Sequence, residues 1–407
     1  MRLLLLITVG AVVVMGVWLF REPLRRQIFR EVALANDAPS AEVVENMIDH
    51  ASDPRAALVA AWGSGKIMHR EVAIRMLSRV IPPEQPLTPE LDSLLLSAAL
   101  DPDLNVRESA LGTLQQRRHP ALTALAATQL RDADPQVRLL GLRYLRSASP
   151  ASGVPAVIPL LDDAEPLIVI MCLKLLENWS GQSFGVRLSE TTPFENEGLA
   201  SKEDRKASLE RARAGAERAK AWWTAHRSAF PPVELKVPGE AYSSRQVLSA
   251  PDFQLSTLDG RKVRLSDSRG KVVLINFWTT WCPPCANEIP ALIALQSKCK
   301  DSLTILGISL DCVPHENAQI GGHASGDVRS AASLKKIRDK VARTVEARGV
   351  NYPILLDKRN EAGGRYNGAE LPTTVIVDAQ GRVQRRFVGP RSLSVFEAMV
   401  AEAVGSK

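Results

Sequence analysis

Two cysteines three positions apart, Cys282 and Cys285, are the residues of this sequence best suited to chemistry. They follow an apolar run, 272–277, that predicts a buried strand, and they precede a helix predicted over 285–298. Cys282 would then lie at a helix N-terminus, where free N–H groups and the helix dipole stabilise a thiolate. A thiolate attacks disulfides, and a second sulfur one helical turn away resolves the mixed disulfide. The pattern predicts thiol–disulfide exchange. The two intervening prolines remove amide donors near the sulfur and so favour a reducing site.

The other cysteines form no second motif. Cys172, Cys299 and Cys312 are scattered, and an odd, sparse set of five cysteines is not a structural disulfide framework. Zinc at the pair would require a second C-x-x-C or paired histidines, so we expect no metal and no cofactor there. Cys312, His315 and His323 have weak metal-ligand spacing, and a plain loop near the active site is the favoured interpretation. Cys172 and Cys299 are predicted to be packed thiols.

Three segments together resemble the thioredoxin superfamily, and within it the exported TlpA/ResA-like branch of thiol–disulfide oxidoreductases. The segments are Ala250-Pro-Asp-Phe253, Asn276 through Pro290, and Leu371-Pro-Thr-Thr-Val-Ile-Val-Asp378. The resemblance covers residues 250–407 and implies an α/β thioredoxin-like fold. It also implies that Cys282 is the exposed nucleophile and Cys285 the buried resolving thiol.

The resemblance extends to residues that would bind the substrate. Pro372 matches the family's cis-proline, which faces the active-site disulfide. The backbone at Leu371 would accept a substrate strand, and Trp281 would shape the surface beside the nucleophile.

One position departs from cytoplasmic thioredoxin. Asn276 stands where that protein has a buried aspartate, and an amide cannot take up a proton, so proton transfer at Cys285 requires another group. Glu288 matches the acidic residue that this branch has three positions after the second cysteine. In a partly apolar pocket, its carboxyl should have a raised pKa and could shuttle a proton. The alternative is a surface residue in a helix's first turn.

The region before this domain is helical and repeats. Asp101-Pro-Asp103 recurs as Asp132-Ala-Asp134 and Asp163-Ala-Glu165, a period of 31 residues. Apolar residues recur in step, namely Val106, Val137 and Ile168, then Leu111, Leu142 and Leu173, then Leu114, Leu145 and Leu176. The acidic pairs are placed to cap helices. The units resemble HEAT repeats, although the third has Val169 where the first two have arginine. A partner-binding surface and a structural spacer both fit this solenoid.

These patterns predict a multidomain chain. Its parts are a membrane anchor at 1–22, an all-α HEAT-like solenoid at 40–185, a capping helix and linker at 186–249, and the thioredoxin-like domain at 250–407. In the last domain we expect strands at 263–265, 272–277, 303–309, 373–377 and 383–387, and helices at 285–298, 333–348 and 393–404.

The N-terminus carries an apolar run. Leu3–Phe20 comprises 18 uncharged residues, enough for a short membrane span, and a cleaved signal peptide is the alternative. Four arginines follow the run and, by the positive-inside rule, favour a cytoplasmic location for the rest of the chain. The resemblance to an exported branch favours the opposite. We predict an uncleaved N-terminal anchor with an extracytoplasmic, periplasmic soluble part.

The charge balance excludes one class of partner. A net charge of +6 is mild for 407 residues, and no basic run alternates with aromatics, so nucleic-acid binding is not expected. The leading hypothesis is a membrane-tethered protein disulfide reductase. The resemblance implies a membrane thiol electron donor and protein substrates such as apocytochrome c. One alternative is a partner-binding protein whose redox domain serves one complex. A peroxidase is a weaker alternative, because the peroxiredoxin cysteine motif is absent upstream of Cys282.

Overall fold

The structure is a computed structural model. It describes residues 41–186, 202–231, 233–243, 247–313 and 330–405. The predicted anchor at 1–22 lies outside these ranges, as do His315 and His323. Within the described ranges, no helix combines the length and the apolar character that a membrane crossing requires.

Contacts divide the chain into two compact units. The first holds the described residues up to Leu87 and those of Gln246–Pro390, and the second holds those of Thr88–Arg245 and Arg391–Gly405. Each unit therefore joins residues from the repeat region to residues from the C-terminal domain of the sequence analysis. The predicted domain boundaries stay predictions.

The first unit contains a seven-stranded sheet. Its strands are β1 (Gln254–Thr257), β2 (Lys262–Arg264), β3 (Val272–Trp278), β4 (Leu303–Ser309), β5 (Ile354–Leu356), β6 (Thr373–Val377) and β7 (Val383–Val388). The spatial order is β2-β1-β5-β4-β3-β6-β7, with β3, β4 and β5 parallel and the remaining pairs antiparallel. Sequence patterns predicted every strand except β1 and β5, which have four and three residues.

The helices, in chain order, are α1 (Ala41–Asp49), α2 (Pro54–Gly63), α3 (Ile67–Val80), α4 (Pro89–Ala98), α5 (Leu104–Gln116), α6 (Leu122–Gln129), α7 (Pro135–Leu145), α8 (Pro150–Val157), α9 (Pro166–Ser180), α10 (Lys202–His226), α11 (Glu240–Ser243), α12 (Pro283–Lys298), α13 (Ala331–Ala347), α14 (Glu361–Arg365) and α15 (Leu393–Gly405). Short 3-10 turns occupy Ile158–Asp162, Arg227–Ala229 and Leu265–Ser268. The predicted helices at 285–298, 333–348 and 393–404 correspond to α12, α13 and α15.

The core of the first unit lies around the central strands. All seven residues of β3 are buried, as a near-continuous apolar run predicts for a strand covered on both faces. Phe277 of β3 and Tyr366 belong to one buried apolar cluster. Ile67, the first residue of α3, belongs to the same cluster although it lies in the predicted solenoid.

In the second unit, the repeated acidic residues begin helices. Asp103 caps α5 and Asp134 caps α7, each accepting a backbone N–H from two residues later at 3.0 and 2.9 Å. Asp101, Asp132 and Asp163 each accept the N–H two residues later at 2.9 Å, which shapes the turn before the helix. The period of 31 residues thus repeats a capped turn.

The arginine of one repeat binds the next repeat. Arg107 donates to the carboxylate of Asp132 at 3.3 Å, and Arg138 donates two bonds to Asp163, both at 2.8 Å. The third copy has Val169 instead, and the element after α9 that contacts it is α10 rather than a fourth copy. Among the described residues, the repeat pattern therefore changes where α10 packs against α9.

Candidate active site

The two cysteines lie where β3 gives way to α12. Cys282 is the N-cap residue of α12, and it forms a disulfide with Cys285. In this oxidised form Cys282 is 6% exposed and Cys285 is 2% exposed. Cys282 is thus the more accessible residue of the pair, but it is less exposed than the resemblance implied.

The helix start offers the sulfur of Cys282 an amide donor. Pro283 and Pro284 occupy the first helical positions and have no N–H to give. The next residue, Cys285, donates its backbone N–H to Cys282 Sγ at 3.2 Å. The Cys282 thiolate that forms on reduction would keep this N–H donor and the helix dipole. It would lack the two N–H donors that residues other than proline would supply at positions 283 and 284.

A buried polar group connects β3 to α12 and β6. Asn276 of β3 donates from Nδ2 to Glu288 Oε2 at 2.9 Å and to Thr374 Oγ1 at 3.1 Å. Glu288 is 1% exposed, so it is not the surface residue considered as the alternative. The sixth position of α12 faces the sheet, and the carboxylate is therefore held between helix and strand.

Tyr352, which the sequence analysis missed, belongs to the same buried region. Burial raises the pKa of its phenol well above the usual value, and the charge of Glu288 raises it further. Gly307 of β4 makes room for Ile354 and for this ring, because a Cβ there would lie 2.5 Å from Ile354 Cδ1 and 3.1 Å from the Tyr352 ring. The signal available in the sequence was a glycine inside an apolar strand.

The predicted substrate-binding residues lie at the same end of the sheet. The Leu371–Pro372 peptide bond is cis, in agreement with the resemblance. Pro372 precedes Thr373, which pairs with Phe277 near the end of β3 that leads to the cysteines. Leu371 and Trp281 are half-buried.

Asp311 holds the segment between β3 and Cys282. Its carboxylate accepts the Thr280 backbone N–H at 3.1 and 3.2 Å, the Thr280 hydroxyl at 2.5 Å and the Ser309 hydroxyl at 2.9 Å. The loop after β4 is thereby tied to the loop after β3. Asp311 had no predicted role, although an acidic residue two positions after a buried apolar strand can be read from the sequence.

The other thiols differ from the pair. Burial, reinforced by the charge of Asp311, raises the pKa of Cys312 to about 11. Burial also raises the pKa of Cys172 well above its usual value, so both thiols are protonated and unreactive near neutral pH. The part of the chain that the structure describes contains no cluster of three or more histidine, cysteine or carboxylate residues that could hold a metal. The hypothesis of a site at Cys312, His315 and His323 stays untested.

The C-terminal part of the chain is similar in sequence to known proteins. Residues 248–386 match the profile of the AhpC/TSA family. The chain is 34% identical over 155 residues to the thioredoxin-like protein YneN of Bacillus subtilis, covering 37% of this chain and 78% of that protein. It is 33% identical over 142 residues to the thiol-disulfide oxidoreductase ResA of Geobacillus thermodenitrificans, covering 35% and 68%. A solved thiol:disulfide interchange protein from Chlorobium tepidum is 27% identical and covers 39% of this chain and 97% of its own, with a TM-score of 0.31.

Proposed function

Because this chain belongs, through its C-terminal part, to the thioredoxin-like thiol–disulfide oxidoreductases, we propose that it reduces disulfides of protein substrates through Cys282 and Cys285. The observation that carries the proposal is the disulfide at the N-terminus of α12, with the Cys285 amide donating to Cys282 Sγ. A helix terminus that stabilises a thiolate next to a second thiol is what disulfide exchange needs.

The reaction starts from the reduced pair. The Cys282 thiolate attacks one sulfur of the substrate disulfide, the substrate S–S bond breaks, and one substrate thiolate leaves. Cys285, as its thiolate, then attacks Cys282, the mixed disulfide breaks, and the second substrate thiolate leaves. The two departing thiolates take up the proton released by Cys285 and one from solvent, so the substrate has gained two electrons and two protons, and the Cys282–Cys285 disulfide has formed. A thiol donor must then reduce this disulfide, and we propose a membrane thiol carrier.

Buried and half-buried neighbours would serve these steps. Glu288 would take the proton from Cys285 as its thiol becomes the attacking thiolate, and Asn276 would hold the carboxylate through the 2.9 Å hydrogen bond. The backbone at Leu371 would pair with an extended substrate segment, with Pro372 facing the sulfurs and Trp281 bordering the nucleophile. Backbone hydrogen bonds to an extended segment are a common way for proteins to bind peptides.

We also propose that the chain is tethered to a membrane by residues 1–22, with the redox site in the periplasm. The apolar run Leu3–Phe20 supports the tether, and the four arginines after it are the argument against export. A topology reporter fused after residue 407 tests the location. Activity of a reporter that works only outside the cytoplasm is expected, and activity of a cytoplasmic reporter would contradict it.

Insulin reduction with dithiothreitol tests the enzymatic proposal. The full chain should be used, because Ile67 lies in the sheet core although it precedes residue 250. Wild-type protein should accelerate the reaction, and Cys282→Ser should abolish the acceleration. Cys312→Ser is the matched control, since it removes a buried free thiol and should leave the rate unchanged. An active Cys282→Ser variant would contradict the mechanism.

Trapping identifies the substrates. Cys285→Ser cannot resolve the mixed disulfide, so it should accumulate covalent complexes that dithiothreitol releases. Proteins captured by Cys285→Ser, and not by the Cys282→Ser/Cys285→Ser double variant, would be the substrates. Rapid peroxide consumption by the wild type without disulfide reduction would instead favour the peroxidase hypothesis.

A further inference from the structure

The segment that connects α14 to β6 presents Leu371 and Pro372; we refer to residues 366–372 as the substrate loop. Its first half is held by a buried arginine of β7. Arg386 donates from Nε to the Tyr366 carbonyl at 2.8 Å and from Nη2 to the Asn367 carbonyl at 2.6 Å. The start of the substrate loop is therefore fixed by charge-assisted hydrogen bonds to its main chain.

Close packing fixes the middle and end of the substrate loop. Gly368 lies against the ring of Phe277, and a Cβ at this position would lie 2.8 Å from the ring. The Pro372 carbonyl accepts the Gly389 N–H at 2.8 Å. The main chain of the substrate loop therefore packs closely against the sheet. In such close packing, a displacement of one loop residue also displaces its neighbours.

Asn367 connects the substrate loop to the repeat region. Its backbone is left-handed, with φ of 50°, a conformation that asparagine tolerates better than most residues. Its side-chain amide donates from Nδ2 to Glu71 Oε2 at 2.7 Å. Glu71 lies on α3 and is half-buried, 296 positions earlier in the sequence.

Helix α3 faces this loop by more than one contact. Ile67 precedes Glu71 by four positions and so lies on the same face of the helix. Ile67 belongs to the buried cluster that contains Phe277, the ring against Gly368, and Tyr366, the first residue of the substrate loop. An apolar contact therefore places α3, and the Glu71–Asn367 hydrogen bond fixes the loop against it.

We propose that Glu71 is a positioning residue for substrate recognition, which acts through Asn367 on the geometry of the substrate loop. This inference rests on the proposed function, because the loop matters only if Leu371 and Pro372 receive the substrate. A residue outside the thioredoxin-like part of the sequence would then complete its substrate-binding surface. Glu71 contacts neither the sulfurs nor their buried neighbours in any hydrogen bond described here, so its effect should be on binding rather than on the thiols.

The test uses Glu71→Ala in the full chain, with insulin as the substrate. Losing a hydrogen bond to a charged group should lower kcat/KM by about tenfold, mainly through a higher KM, while kcat stays near the wild-type value. Glu71→Gln keeps an oxygen acceptor for the Asn367 amide and should recover most of the loss. Glu45→Ala is the matched control, because Glu45 of α1 is also a half-buried glutamate, and it binds Arg75 of α3, the helix that carries Glu71.

Asn367→Gly supplies an independent variant. Glycine keeps the left-handed backbone without strain and removes only the amide, so the variant should reproduce the effect of Glu71→Ala. The double variant should be no worse than either single variant, since both remove one bond. The Cys282 thiol pKa and the redox potential of the pair should equal those of the wild type in all these proteins.

Three results would overturn the inference. The first is an unchanged kcat/KM in a folded Glu71→Ala variant. The second is a loss confined to kcat with a shifted thiol pKa or redox potential. The third is additivity of Glu71→Ala and Asn367→Gly. Hydrogen exchange of the peptide covering 366–372 should be faster in Glu71→Ala than in Glu45→Ala, a readout that needs no activity. An inactive wild type would refute the proposed function, whereas an active wild type with an equally active Glu71→Ala would refute only this inference.

Discussion

Replacing Asp134 with alanine should destabilise the second unit far more than the loss of a helix cap. Arg391 donates to both carboxylate oxygens of Asp134, from Nε at 3.0 and 3.1 Å and from Nη2 at 3.0 Å. The two side chains are 6% and 1% exposed. The same carboxylate caps α7, and Arg391 lies just before α15. One side chain thus stabilises a helix start and neutralises a buried cation.

The magnitude follows from these two contributions. Loss of the cap costs about 1 kcal/mol, and a buried guanidinium without its carboxylate costs about 3–5 kcal/mol. The free energy of unfolding should therefore fall by about 4–6 kcal/mol in Asp134→Ala. Arg391→Met should cost less, about 1–3 kcal/mol, because Asp134 keeps an amide donor and the positive end of the α7 dipole.

Thermal and chemical unfolding of the full chain, followed by far-ultraviolet circular dichroism, measures these differences. Asp53→Ala is the matched control, because Asp53 is exposed and caps α2 through two backbone N–H groups at 3.0 and 3.1 Å. It should lower the stability by only about 1 kcal/mol. Unfolding midpoints should then rank wild type, Asp53→Ala and Asp134→Ala in falling order.

The double variant Asp134→Ala/Arg391→Met separates the two contributions. Removing the buried cation together with its carboxylate should restore part of the stability lost beyond the cap, so the double variant should be more stable than Asp134→Ala alone. If it is equally or less stable, or if Asp134→Ala costs no more than Asp53→Ala, the account of a buried charge pair is wrong.

Two further predictions concern protons. Glu288→Gln should lower the exchange rate at neutral pH by about tenfold or more and change a thiol pKa; equality with the wild type in both measurements would refute the proton shuttle. Burial, and secondarily the charge of Lys66, lowers the pKa of His69 from 6.5 to about 4. As the pH falls, His69 is therefore protonated in the unfolded chain before it is protonated in the folded protein. The free energy of unfolding should be unaffected by His69 above the pKa of the unfolded chain. It should fall by at most about 3 kcal/mol as the pH drops toward the pKa of His69 in the folded protein. Unfolding midpoints measured across this range should show a smaller dependence in His69→Gln, and an identical dependence would contradict the assignment.

Local patterns were sufficient for the elements that carry the cysteines. The apolar run of β3 and the two prolines at the start of α12 predicted a buried strand followed by a helix, and the structure has both. The recurring acidic pairs predicted capped helix starts, and Asp103 and Asp134 are such caps. These signals are readable because the atoms that interact are within a few residues of one another.

Contacts between distant residues left no comparable signal. Glu71 and Asn367 are 296 positions apart, and Asp134 and Arg391 are 257 apart. The acidic repeat identified Asp134 as a cap. A carboxylate can accept several hydrogen bonds besides the one from the capped backbone N–H, and no nearby residue in the sequence indicates which donor supplies them. The same holds for Tyr352, whose position beside Glu288 depends on how β5 joins the sheet.

The asparagine that departs from cytoplasmic thioredoxin has a physical explanation once Glu288 is in place. The Asn276 amide nitrogen lies 2.9 Å from a Glu288 carboxylate oxygen and donates to it. An aspartate at this position would bring a second carboxyl group to hydrogen-bonding distance inside the protein, and one of the two would have to stay protonated. An amide satisfies the same carboxylate without taking part in its titration. The choice of Asn276 on β3 is therefore tied to the choice of Glu288 on α12, and the pair should be analysed together in any variant of this site.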